Sequence, residues 1–268
     1  MSTTEVLSTT EVPSVDDHPP TDAHRSRLEV GDGDVDRPRL PSTRTTGLAY
    51  LGIILTGVFA EFVVRGSLVV DDDAVATASN IADAPGRFAV GIGADVAMIA
   101  FDVTVAFGLL RLLRTVDRRL ALTATVLRLV QAAVIVLSLA ALVPALGAAQ
   151  DAVLGDGTVL AGPAQDALDA VERHALGYDA GLIAFAFSCL VLSHLLLTSR
   201  LVSRPLAVGL GVTGVVYLAG SLAALFAPGL SPVVEPFYAI PLVVELAFAV
   251  RLVRGLDPAP AGPAPAAA

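Results

Sequence analysis

The sequence predicts an all-α fold, a polytopic membrane bundle of six transmembrane helices with both termini in the cytoplasm (N-in/C-in). Three observations predict it. The 268 residues are 54% hydrophobic with a mean hydropathy of +0.73, beyond the apolar share of an ordinary soluble domain. Six apolar stretches alternate with polar turns and loops. The 17 basic residues, all arginine, cluster on alternate connections, the bias that orients membrane spans.

Residues 1–46 are rich in Ser, Thr, Asp, Pro and Arg without apolar periodicity, so they bury too little surface to offset the entropy of ordering and are expected to form a disordered cytoplasmic tail. No apolar signal-peptide core precedes the first span, so insertion is expected to rely on that span, without cleavage. The first span is predicted at 47–64. Near its end Glu61 and Arg65 stand at i and i+4, on one helix face, where they are expected to pair. The segment that follows leaves the membrane, with Asp73 as a helix N-cap and Pro85 as the stop of a short interfacial helix.

The second span is predicted at 88–112 and the third at 120–146, joined by a tight turn flanked by Arg111, Arg114, Arg118 and Arg119. A long excursion is expected over 147–175. Within it Pro163 marks a helix start, and Ala164, Leu168, Val171 and Ala175 suggest an amphipathic lead-in running into a fourth span at 176–198. The fifth span, 206–227, holds Gly209, Gly211, Gly214 and Gly220. Such glycines allow close helix packing, and without a preceding strand or a following Lys-Ser/Thr they make no phosphate loop. Pro228, Pro232 and Pro236 mark the next turn, the sixth span is predicted at 237–250, and a Pro/Ala-rich disordered tail occupies 256–268. The six-helix domain is therefore bounded at 47–255.

The net charge of −9 describes the tails and loops, where most acidic residues lie. Cys189, the single cysteine, excludes an intramolecular disulfide and a Cys-based metal cluster. With the N-terminus inside, thirteen arginines lie on the cytoplasmic side and three (Arg65, Arg87, Arg173) on the other, while Arg128 sits within the third span.

Several motifs together are familiar: VRGSLVV, DDDAVATASNI, Arg87-Phe88, LLRTVDRRLAL, RLVQAA from Arg128, HALGYDAGL from His174, SRPLAVGLGVTGVVYL, Ala227-Pro228 and Glu245. In these the chain resembles the membrane family catalogued as domain-of-unknown-function 4386, over roughly Gly47 to Gly255. Asp117 stands where that family usually has Asn. The resemblance implies a six-span integral membrane protein and supplies no reaction.

Ionisable groups inside apolar sequence are costly and so must face protein or water. At a rise of about 1.5 Å per residue, Asp102, Arg128 and Glu245 fall roughly 9–14 Å from the cytoplasmic ends of their helices, a buried inner tier. Glu61, Arg65 and Asp95 fall roughly 20–27 Å from that face, an outer tier to which Tyr178 and Asp179 are added. Arg128 and Asp102 are expected to form the principal inner pair, with Glu245 close by. His174 and His194, on or beside one helix and about 30 Å apart, cannot share a metal. His174 is better placed in a loop-end hydrogen bond with the outer tier. Ser188 beside Cys189 lacks a nucleophile-elbow context.

No catalytic set, metal site or cofactor is expected, nor a nucleic-acid partner. Three functions stay open on the sequence: binding or passing a small solute or proton through the tiers, a structural or signalling role in which the charges only pin helix packing, and an intramembrane enzyme. The partner expected in every case is the lipid bilayer, and the location is the cell membrane.

Overall fold

The computed structural model describes residues 40–256, and these form a helical bundle. The first span begins earlier than the hydropathy suggests. Helix α1 (Thr43–Val58) starts at the Ser42 N-cap, whose side chain accepts from Thr45 N at 3.1 Å. It continues through a π-helical segment, Phe59–Arg65, into the single turn α2 (Gly66–Leu68). Helix α3 (Ala74–Asp83) is capped by Asp73, which accepts from Ala76 N at 2.9 Å, and it stops before Pro85 as expected.

Helix α4 (Pro85–Leu113) takes Pro85 into its first turn, where the missing N–H costs nothing. Asp117 ends the next turn by accepting from Arg119 N at 2.8 Å and Leu120 N at 3.0 Å, capping α5 (Arg118–Leu139). The third span was expected to run unbroken over 120–146. It breaks at Ala140–Ala141 and resumes as α6 (Leu142–Ala152). Pro144 explains the break, since its ring denies an amide to the carbonyl of Ala140 and crowds it.

The expected excursion over 147–175 is mostly helical. Only a short loop, closed by a bridge between Val153 and Val159, separates α6 from α7 (Ala161–Ser199). At 39 residues α7 is about 58 Å long, so the lead-in and the fourth span are one rod. Helix α8 (Arg204–Phe226) follows. The proline-rich stretch is a chain of short turns, Pro228–Leu230, α9 (Ser231–Val234) and Glu235–Tyr238, leading into α10 (Ala239–Arg254).

Six of these rods are long and apolar enough to cross a membrane, and the protein is a multi-pass membrane protein. They close a ring in which α1 packs on α4, α4 on α5, α5 on α7, α7 on α8, α8 on α10 and α10 back on α1. Large apolar side chains such as Leu55, Phe62, Leu137 and Phe226 point outward, as a lipid-facing surface requires. An even number of spans brings the ends of the described chain to one face, here the terminal face. A Cβ on Gly47 would meet Val253, which joins the start of α1 to the end of α10. The glycines of α8 serve packing: a Cβ on Gly214 would stand 2.7 Å from the carbonyl of Ala186 on α7.

Candidate functional site

Two polar levels lie inside the ring, and they differ in how completely their atoms are used. On the distal level the π-helical segment carries Glu61 and Arg65. Arg65 donates from Nε to Glu61 at 2.8 Å and from Nη1 and Nη2 to the two Asp95 oxygens at 2.6 and 3.2 Å. Asp95 is buried, whereas the Glu61 side chain is 61% exposed. The guanidinium fork matches the Asp95 carboxylate, a geometry that a lysine would not supply.

Tyr178 stands within electrostatic reach of Asp95, Arg65 and Glu61, with its hydroxyl 3.7 Å from the Met98 sulfur. Asp179 lies within electrostatic reach of Glu61 and accepts from Ser221 of α8 at 3.3 Å. His174 lies within electrostatic reach of Arg65, Asp95 and Glu61, but not at a loop end. It lies within α7, buried, with Nδ1 3.0 Å from the Ser138 hydroxyl.

Nearer the terminal face, every helix of the ring contributes to one cluster. Arg128 of α5 donates from Nε and Nη2 to Asp102 Oδ1 of α4 at 2.9 and 2.5 Å. Its guanidinium carbon lies 5.2 Å from the Tyr50 ring of α1 and 4.7 Å from the Phe185 ring of α7. Two aromatic faces thus hold the cation where water would otherwise solvate it. Glu245 of α10 is buried within electrostatic reach of Arg128, Asp102 and Tyr217 of α8. Ser188, weighed above as a nucleophile, donates to the Ala124 carbonyl at 2.9 Å and so ties α7 to α5.

This cluster is only partly satisfied. Tyr50 Oη, Asp102 Oδ2, Arg128 Nη1 and Glu245 Oε1 are buried without a hydrogen-bond partner among the described residues, as are Gln131 Oε1 and Thr213 Oγ1. Buried polar atoms are nearly always paired, and an unpaired one costs about 1–3 kcal/mol, more if charged. A cavity of about 10 Å³, the scale of one water, lies beside Arg128 between Ala106, Leu109, Ala121 and Leu192.

Counting ionisable carboxyls and arginines by depth leaves out Tyr50, Phe185 and Tyr217. Tyr50, seven residues into α1, lies at the same depth as the inner tier by helix rise, so polar residues of any charge are the signal that finds it. Phe185 carries no such mark.

The family described as Domain of unknown function (DUF4386) matches residues 45–255. The chain belongs to this DUF4386 family. No curated protein and no solved structure matches the chain. The matched span takes in the six membrane-crossing helices, apart from the first two residues of α1, and every residue of both tiers, so the polar cluster lies wholly inside the DUF4386 region.

Proposed function

We propose that this DUF4386 protein is a proton-handling protein of the cell membrane, binding and releasing a proton at the cluster of Asp102, Arg128 and Glu245. The contrast between the tiers supports this reading. Arg65 spends its fork on Asp95 and its Nε on Glu61, an arrangement suited to clasping α1 to α4. The inner tier sets one guanidinium against two buried carboxyls and leaves Arg128 Nη1, Asp102 Oδ2 and Glu245 Oε1 without a hydrogen-bond partner among the described residues.

Of the two carboxyls, Asp102 takes both donated bonds from Arg128. Glu245 is left as the surplus acid. An uncompensated carboxylate in such surroundings is expensive, and uptake of a proton relieves the cost. Ionisable groups within membrane spans are functional candidates by default, and the water-sized cavity at Arg128 suits a proton better than a larger solute. The arginine bias supports an orientation with both termini in the cytoplasm, which puts the inner tier nearer the cytoplasmic face.

The test is pH-difference infrared spectroscopy of the full chain in lipid nanodiscs, following the carbonyl stretch of protonated carboxylic acids. The reading expects a band that titrates reversibly in the wild type and is lost in Glu245→Gln but kept in Glu61→Gln. A wild-type spectrum with no titrating band that Glu245→Gln removes would overturn it.

A further inference from the structure

The reading of Glu245 as the acid raises the question of how a proton reaches it, and α7, α8 and α10 hold a set of groups that runs between the two tiers. Asp179 is partly exposed at the distal side of α7 and accepts from Ser221 of α8 at 3.3 Å. Tyr238, in the turn that enters α10, lies within electrostatic reach of Asp179. Its hydroxyl lies against Gly220, one residue from Ser221, on ground that a Cβ would occupy. Gly220 therefore gives the Tyr238 hydroxyl its place in the groove between α8 and α10.

One turn of α8 further in, the Tyr217 ring packs 5.7 Å from the Tyr238 ring on one side and 5.4 Å from Phe185 on the other. Tyr217 in turn lies within electrostatic reach of Glu245. Counted along their helices from the terminal face, Asp179, Ser221, Tyr238, Tyr217 and Glu245 stand at roughly 30, 26, 24, 20 and 14 Å. The groups form a descending series with no large gap in depth. It ends at a buried carboxyl whose Oε1 has no hydrogen-bond partner among the described residues.

We infer that Asp179, Tyr238 and Tyr217 form a proton path from the distal face to Glu245, a deepening that rests on the reading of Glu245 given above. A proton taken up by the Asp179 carboxylate passes to the Tyr238 hydroxyl oxygen as that hydroxyl releases its own proton inward. Tyr217 repeats the exchange and delivers its proton to the Glu245 carboxylate. Each tyrosine ends neutral and no electron moves, so no co-reactant is needed. The charged and titratable groups within electrostatic reach of Glu245 are Arg128 from α5, Asp102 from α4, Tyr50 from α1, Tyr178 and Cys189 from α7 and Tyr217 from α8. Of these, Tyr217 is the one that also packs on Tyr238.

The experiment follows the exchange of the Glu245 carboxylic proton for deuterium after transfer of nanodiscs holding the full chain into heavy water, read as the shift of the band that Glu245→Gln removes. Tyr217→Phe keeps the ring against Phe185 and Tyr238, so the fold is preserved while the hydroxyl is lost. The inference expects Tyr217→Phe to slow exchange by roughly 10²-fold, the scale of one positioned proton-transfer group. Asp179→Asn is expected to slow it in the same direction, and Thr56→Val, whose hydroxyl serves its own helix backbone, to leave it unchanged. A Glu245 band that exchanges at the wild-type rate in both Tyr217→Phe and Asp179→Asn would overturn the path and leave Glu245 as the acid. A wild-type spectrum without that band would overturn both.

Discussion

Arg128 Nη2 lies 2.5 Å from Asp102 Oδ1, and both side chains are buried on neighbouring antiparallel helices. Equal counts from the turn that joins α4 and α5 bring them level. Removing one partner strands the other, at about 3–5 kcal/mol. Arg128→Ala should lower thermal stability in detergent more than Asp102→Ala does, because it leaves two carboxyls, Asp102 and Glu245, without a cation. Replacing the pair together, Arg128→Met with Asp102→Leu, should recover much of the loss. Wild-type stability in Arg128→Ala would sink the account of the pair.

The distal clasp should respond unequally to its two acids. Asp95 is buried and receives both arms of the Arg65 fork, so Asp95→Asn should destabilise by about 3–5 kcal/mol. Glu61 is mostly exposed, and Glu61→Gln should cost only about 0–1 kcal/mol. The same thermal assay ranks them, and the reverse order would show that Glu61 is the true anchor of α1.

Orientation is open to direct labelling. In a Cys189→Ala background, Asp156→Cys, in the loop between α6 and α7, should react with a membrane-impermeant maleimide on intact cells. Thr115→Cys, in the turn between α4 and α5, should react only after permeabilisation. The opposite pattern would invert the proposed topology.

The α6–α7 loop should carry a pH dependence of its own. Thr158 N donates to Asp156 Oδ1 at 2.9 Å, and this bond holds the Asp156 carboxyl below its ordinary range. A depressed folded value means that its contribution is present above the unfolded value and lost as pH falls through the folded one. Hydrogen exchange corrected for intrinsic rate should show Thr158 amide protection steady through mildly acidic pH and falling only in strong acid. Asp156→Asn should remove that dependence; an unchanged profile in this variant would assign the protection to another group.

The sequence by itself determined the six-span class, the Asp73 cap and the approach of Arg128 to Asp102. Each rests on short-range geometry, namely apolar length, helix periodicity and a turn too short to misplace the helices it joins. It also sufficed for the Glu61 and Arg65 pair, which is local to one helix. Only the tertiary structure decided that Asp179 turns to Ser221 and that His174 meets Ser138. The same holds for the Tyr50 and Phe185 faces around Arg128 and for Tyr217 reaching Glu245. Those relationships depend on the rotation of each helix about its own axis, which is set by packing all six together. Helix spacing places a residue at a depth along its rod, but closing the ring chooses the neighbour it faces across it.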